Sequence, residues 1–123
     1  KRSLGTKGEE EGRNYLISKG YEVLETNYRT KLGEIDIIAL DGNTIVFVEI
    51  KTRTSEKYGR PGEAVNWKKQ NVYAKVAIQY LRARSWLDKQ MRFDVLEIRM
   101  QEKKTDICHI QNAFQARGGM YYY

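Results

Sequence analysis

The chain is poor in the residues that build disulfide-bonded, zinc-binding and membrane-spanning proteins. Its 123 residues include one cysteine, Cys108, together with one histidine and one proline. A lone cysteine excludes an intramolecular disulfide and any zinc site made of several thiolates. No window of about 18 apolar residues is present, so the sequence predicts no membrane-spanning helix. We therefore expect a cytoplasmic protein that has no membrane partner.

What the chain does contain is enough apolar material for one core. Hydrophobic residues make up 41% of the sequence, which argues against global disorder. A chain of this length can fold without a disulfide or a structural metal. We expect a single domain over residues 1–123.

The charge is unevenly spread along the chain. The formal net charge is +6, with −1 over residues 1–56 and +7 over residues 57–123. Basic surfaces attract polyanions through steering and counterion release. Charge alone favours a nucleic-acid partner only weakly, because many small proteins are mildly basic.

The spacing of apolar residues predicts an α/β domain with a mixed β-sheet and helices packed on it, in the order αβββαββ. Asp41-Gly42 separates two strongly β-like segments and is typical of a tight hairpin turn. The predicted helices are 7–19 and 64–84, and the predicted strands are 21–28, 33–40, 43–52, 91–99 and 105–112.

Three charged residues, Asp36, Glu49 and Lys51, interrupt the otherwise apolar strands of this hairpin. Side chains alternate across a strand, so Glu49 and Lys51 share one face and Ile50 lies on the other. Charges in apolar strands are costly unless they pair with one another or bind a metal. From these residues alone, an internal salt bridge and a metal site are both possible interpretations.

The turn decides how the two acids face each other. A two-residue loop at Asp41-Gly42 predicts that Asp36 lies opposite Phe47 or Val48, one diagonal step from Glu49. Carboxylate oxygens suit Mg²⁺ or Mn²⁺ rather than zinc. Such an ion polarises a phosphodiester, and a lysine beside it could orient the attacking water.

Two helical residues are candidates for the same site. Glu9 shares a helix face with Leu16 and should point toward the sheet, although an acid also suits a helix N-terminus through the helix dipole. Lys69 falls on the inward stripe of the long helix with Gln70 at its edge, and its stem could equally reach out to solvent.

Basic residues lie within and around the polar segment 54–62. Arg53, Arg60 and Lys68 could bind phosphates, or could belong to a solvated loop and helix end. Together with Lys69 they form the candidate nucleic-acid-binding set.

The pattern of Asp36 followed by Glu49-Ile50-Lys51 resembles the PD-(D/E)XK nuclease signature, with Ile35 in place of the proline. A much wider match resembles the bacterial YraN-like family over about residues 5–114, which leaves 115–123 as a flexible tail. The matching segments are Gly8-Glu9, Tyr15-Leu16, Gly20-Tyr21, Asn27-Tyr28-Arg29, Gly33-Glu34-Ile35-Asp36, Phe47-Val48-Glu49-Ile50-Lys51-Thr52-Arg53, Gly59, Pro61, Ala64-Val65, Lys69-Gln70, Tyr80-Leu81, Arg92-Phe93-Asp94-Val95 and Asn112-Ala113-Phe114.

This resemblance implies a restriction-endonuclease-like core similar to archaeal Holliday-junction resolvases. It implies that Asp36 and Glu49 bind Mg²⁺ or Mn²⁺, helped by the Ile50 carbonyl. It also implies catalytic roles for Lys51, Glu9 and Gln70. In this interpretation Lys51 serves the attacking water.

We therefore expect a metal-dependent endonuclease that acts on DNA, with branched DNA as one candidate substrate. Resolvase-like relatives dimerise, so a homodimer is compatible with this interpretation. Two alternatives stay open. One is a non-catalytic nucleic-acid-binding protein that retains the nuclease fold, and the other is an interaction protein whose inward charges form a structural ion pair.

Overall fold

The computed structural model describes residues 4–53 and 67–114. The predicted loop 54–62, the start of the predicted second helix at 64 and the predicted tail 115–123 lie outside these ranges. The elements, in chain order, are α1 Leu4–Ser18, β1 Glu22–Thr30, β2 Gly33–Asp41, β3 Thr44–Arg53, α2 Trp67–Ala83, β4 Met91–Gln101 and β5 Lys104–Phe114.

The five strands form one mixed sheet in the order β1-β2-β3-β4-β5. β3 and β4 are parallel, and the other three neighbouring pairs are antiparallel. The parallel pair follows from the position of α2 between the two strands, because a parallel connection needs a crossover. The predicted α/β class and element order are confirmed. In the described part of the chain, neither helix is long and apolar enough to cross a membrane.

The hairpin register differs from the predicted one. Asp41 pairs with Thr44 and Ile37 pairs with Val48, so Gly42 and Asn43 form the loop. Gly42 has a φ of 60°, which a residue without a Cβ adopts easily and which fixes the turn one residue later than predicted. The expectation that Asp36 lies opposite Phe47 or Val48 is therefore wrong. One further step in the observed register brings Asp36 level with Glu49.

The sheet carries an apolar core on each face. Phe47 and Phe93 pack with Tyr80 on the side of α2, and Val46 and Val48 pack with Leu16 on the side of α1. Neighbouring residues of β3 therefore alternate between the two cores as a strand requires. This alternation carries over to the polar residues that follow Val48 in the same strand.

Two glycines bring α1 close to β3. A Cβ on Gly8 would lie 2.1 Å from the Thr52 Oγ1 atom, and one on Gly12 would lie 2.9 Å from the Ile50 Cδ1 atom. Both glycines are buried, so the helix backbone rests directly on the side chains of β3. This close packing places the first turns of α1, including Glu9, beside the polar end of β3.

Candidate functional site

Glu49 lies at the centre of the candidate site and is only 2% exposed. Its Oε2 atom lies 3.0 Å from the Lys51 Nζ atom and 2.7 Å from the Lys69 Nζ atom. Strand alternation puts Glu49 and Lys51 on the side of α2, and the first turns of that helix supply Lys69. The predicted common face of Glu49 and Lys51 and the inward position of Lys69 are confirmed. The lysine–carboxylate ion pair left open by the sequence is also present.

Asp36 enters the site from the neighbouring strand. Its Oδ2 atom accepts a hydrogen bond of 2.8 Å from the backbone N–H of Ile50. Burial raises the pKa of Asp36 to about 7, and the negative charges of Glu49 and Glu9 push the pKa in the same direction. The Ile50 hydrogen bond and the Lys69 charge oppose this rise without cancelling it. Burial and the two neighbouring carboxylates therefore outweigh the hydrogen bond and the nearby ammonium, and Asp36 holds its proton more tightly than a free aspartate does.

Glu9 faces the site from α1, as predicted from the helix pattern. Its Oε1 atom accepts a hydrogen bond of 3.3 Å from the Asn27 side chain. Asn27 has a φ of 52°, a left-handed conformation that asparagine tolerates better than most residues. Both residues line a surface cavity of about 220 Å³. Sequence reasoning gave Asn27 no role, although it falls within the family-like segment Asn27-Tyr28-Arg29.

Asp36 and Glu49 suit Mg²⁺ or Mn²⁺ by their chemistry. Within 4–53 and 67–114, no group of three or more His, Cys, Asp or Glu side chains is gathered as a metal cluster. Mg²⁺ needs fewer protein ligands, because it commonly uses one or two carboxylates and keeps waters or substrate phosphates as the rest. Burial is the main cause of the raised pKa of Asp36, and a bound cation would offset this desolvation as well as the neighbouring negative charges. The two carboxylates, with the Ile50 carbonyl, therefore fit a hard divalent cation.

The other predicted residues have different positions. Gln70 is partly buried beside Lys69 in α2, and Lys68 is exposed on the same helix. Arg60 lies outside the described residues. Arg53 ends β3, where its Nε atom lies 3.8 Å from the Glu97 Oε2 atom. The structure thus associates Arg53 with an acid that the sequence reasoning did not identify.

Glu97 and Arg99 are polar residues of β4 that sequence reasoning missed. Glu97 is fully buried, and its Oε1 atom lies 3.0 Å from the Arg99 Nη2 atom. In the parallel register Glu97 is level with Lys51, and Arg99 is level with Arg53. A glutamate inside the apolar run before Arg99 was the available signal, because it interrupts β4 as Glu49 interrupts β3.

A second buried polar cluster lies at the opposite end of β4. Asp94 is fully buried and pairs with Arg92 at 3.0 Å and with the His109 Nε2 atom at 2.7 Å. The His109 Nδ1 atom lies 3.3 Å from the Tyr15 hydroxyl of α1. This chain of contacts joins the end of α1 to β4 and β5.

Comparison with known proteins gives a family without a stated activity. Residues 8–98 match the model described as "Uncharacterised protein family UPF0102". A UPF0102 protein of Alkaliphilus oremlandii is 50% identical over 115 residues, covering 92% of this chain and 98% of the relative. One from Alkaliphilus metalliredigens is 51% identical over 113 residues, with the same coverage of 92% and 98%. One from Thermodesulfovibrio yellowstonii is 49% identical over 113 residues, covering 90% and 95%.

Proposed function

We propose that this chain, which belongs to the uncharacterised protein family UPF0102, is a divalent-metal-dependent endonuclease that hydrolyses phosphodiester bonds in DNA. Family membership confirms the resemblance to the YraN-like group, and the nuclease activity is the proposal. One observation carries the proposal. The carboxylates of Asp36 and Glu49 come from adjacent antiparallel strands, and the Lys51 ammonium lies 3.0 Å from Glu49.

In this proposal Asp36 and Glu49 would hold Mg²⁺ or Mn²⁺ together with the Ile50 carbonyl. When bound, the ion would offset charge on the scissile phosphate and favour deprotonation of the attacking water. Lys51 would orient that water and stabilise the charge that develops on the phosphate. Glu49 is buried, so the charges beside it act more strongly than they would in bulk solvent.

The residues around this centre have supporting roles. Glu9 adds negative charge beside Asp36 and strengthens attraction for a cation. Lys69 reaches Glu49 from the start of α2 and would neutralise a substrate phosphate on that side. Gln70, its neighbour, is proposed to assist from the same helix.

We also propose that the sheet is of the restriction-endonuclease-like type. An antiparallel hairpin, a helix and a strand parallel to the second arm of the hairpin support this proposal. The net charge of +7 over residues 57–123 is compatible with DNA as the polyanion that this domain binds. Branched DNA, a cytoplasmic location and a homodimer remain parts of the same proposal.

A second candidate function has its own supporting observation. Both Lys51 and Lys69 contact the same Glu49 oxygen, so this carboxylate is balanced without a metal ion. A non-catalytic nucleic-acid-binding protein could keep these ion pairs and would need no metal ion at Glu49. It would bind DNA in a salt-dependent way and leave the phosphodiester bonds intact.

Cleavage of end-labelled duplex, single-stranded and four-way-junction DNA with Mg²⁺ or Mn²⁺ tests the proposal. We expect products from the wild-type protein and none from Asp36→Asn. The matched control is Asp106→Asn, which changes an exposed aspartate on β5 and should cleave normally. Equal product traces from the wild type and Asp36→Asn contradict the nuclease. Binding without cleavage by the wild type supports the second candidate.

A further inference from the structure

Arg53 and Arg99 stand side by side on the face that carries Glu49 and Lys51. The two arginines are register partners at the ends of the parallel strands β3 and β4. Arg53 follows Lys51 by two residues, so their side chains share the face turned toward α2. The spacing of two strand residues is about 6.6 Å, which suits successive phosphates of one nucleic-acid strand.

A buried acid holds the Arg99 guanidinium by hydrogen bonds and forms a longer ion pair with Arg53. Glu97 is fully buried, with the Arg99 Nη2 atom 3.0 Å from one of its oxygens and the Arg53 Nε atom 3.8 Å from the other. Ion pairing with a buried acid restricts the rotamers of the two long side chains. A guanidinium held in one plane matches the fork of phosphate oxygens and loses less entropy on binding.

The charge and exposure of the pair favour an anionic ligand. The two guanidiniums together carry a charge of +2, and the Glu97 carboxylate that they share carries −1. Their side chains are 21% and 20% exposed, whereas that of Glu97 is not exposed at all. The Glu97 carboxylate is thus buried, whereas part of each arginine side chain is exposed at the surface. An apolar pair would close this end of the sheet without the desolvation cost of three charges.

We propose that Arg53 and Arg99, positioned by Glu97, form a phosphate-binding site for the nucleic-acid backbone, one phosphate away from the bond that faces Lys51. The proposal rests on the proposed function, because it takes the Lys51 face as the place where DNA is cut. Glu97 is a positioning residue in this arrangement, and the two arginines are the binding residues.

The test is the affinity of each variant for a labelled DNA duplex, measured by fluorescence anisotropy in EDTA at several salt concentrations. Arg53→Gln and Arg99→Gln should each weaken binding about tenfold, as expected for a lost hydrogen bond between charged groups. The slope of log affinity against log salt should fall by about 0.9 for each lost phosphate contact. Arg99→Lys should keep the slope and lose part of the affinity, because it retains the charge without the fork.

Arg84→Gln is the matched control. Arg84 also pairs with a glutamate, Glu25, but it lies at the far end of α2. Its removal should leave affinity and salt slope unchanged. A control loss equal to that of the Arg53 and Arg99 variants would overturn the proposal, because it would mean that only net charge matters.

Glu97→Gln separates positioning from charge. Removal of a negative charge should strengthen DNA binding if the arginines act only through net charge. It should weaken binding if Glu97 holds them in place. Thermal unfolding of the same sample reports whether the variant is folded, and Arg99→Lys tests the same site with its charge intact.

The outcomes distinguish this site from the nuclease. If the wild type binds DNA through both arginines but cuts none, the result supports the phosphate-binding site and contradicts the nuclease activity. If the wild type cuts DNA while the arginine variants keep full DNA affinity and an unchanged salt slope, the result contradicts the phosphate-binding site and supports the nuclease activity.

Discussion

Asp36 is the residue at which stability and the proposed function conflict. Its raised pKa means that the folded protein keeps a proton that the unfolded chain releases near the ordinary value of 3.8. Between that value and about 7 the native state binds more protons, so stability falls as the pH rises through this window. Above it, the folded protein carries the full cost of a buried and repelled carboxylate.

Asp36→Asn should therefore stabilise the metal-free protein at pH 8. The amide oxygen can still accept the Ile50 hydrogen bond, whereas the charge repelled by Glu49 and Glu9 is gone. One pKa unit corresponds to about 1.4 kcal/mol, and partial solvent screening leaves an expected gain of about 2 kcal/mol. Urea unfolding in EDTA measures the gain, which should vanish near pH 4. A loss of stability at pH 8 would show that Asp36 is not strained.

We expect Lys51 to contribute to DNA cleavage without contributing to metal binding. Lys51→Gln removes an ammonium that contacts Glu49, so Mn²⁺ binding measured by calorimetry should hold or strengthen. DNA cleavage should fall about a hundredfold or more, as for the loss of one group that stabilises transition-state charge. Lys75→Gln, on an exposed face of α2, is the control and should change neither quantity. A parallel loss of Mn²⁺ binding would mean that Lys51 builds the site rather than serving the reaction.

The sequence predicted the centre of the site better than its borders. Asp36, Glu49 and Lys51 break apolar strands, and strand alternation alone placed the last two on one face. The association of Arg53 with Glu97 depends on the parallel register of β3 and β4. That register arises from long-range pairing, which no local pattern of residues specifies.

At the scale of elements, α1 depends on its glycines to bring Glu9 to the sheet. The helix rests on β3 at Gly8 and Gly12, where a side chain would collide with Thr52 or Ile50. Alanine is normally the better helix former by about 1 kcal/mol, so glycine at these positions reflects packing rather than propensity. At this distance, a side chain at either position would have to displace side-chain atoms of the sheet.

Gly8→Ala should loosen this contact. The new Cβ would lie 2.1 Å from the Thr52 Oγ1 atom, and overpacking of this kind costs about 1–3 kcal/mol. Thermal unfolding measures the loss. The double variant Gly8→Ala/Thr52→Ala should recover most of it by removing the colliding hydroxyl. Gly5→Ala, exposed in the first turn of α1, is the control and should be neutral or stabilising. Equal effects at Gly5 and Gly8 would argue against close packing.

The elements themselves were largely predictable, because apolar periodicity is a local signal. The strands and the first helix appear within a few residues of their predicted bounds. The error was the hairpin register, where Gly42 takes the left-handed conformation and makes Gly42 and Asn43 the loop. A shift of one residue in a turn changes every cross-strand partner, so a small local choice set the position of Asp36.

For the molecule as a whole, the two polar clusters of the sheet have opposite energetic characters. At the Asp36 end, burial and the charges of Glu49 and Glu9 disfavour the ionised carboxylate, whereas Asp94 at the other end is surrounded by donors. Burial alone would raise the pKa of Asp94, but hydrogen bonds from His109, Arg92 and the Asn112 N–H outweigh it and lower the pKa. Strain is thus concentrated where the proposed reaction occurs, and the opposite end holds the fold together.

Asp94→Asn should accordingly cost stability without touching the proposed chemistry. The amide would turn N–H groups toward the donors of Arg92, which keeps its ion pair with Asp41, and the lost contacts should cost about 3 kcal/mol. For a domain of this size that lowers the melting temperature by about 10 °C. Because the pKa of Asp94 is lowered in the folded protein, its carboxylate stabilises the fold at pH values above the ordinary value of 3.8. This stabilisation is lost as the pH falls through the pKa that Asp94 has in the folded state. The difference between wild type and variant should therefore be full at pH 7 and shrink at pH 2, while Mn²⁺ affinity at 20 °C stays unchanged. A change in Mn²⁺ affinity would mean that the two ends of the sheet are coupled.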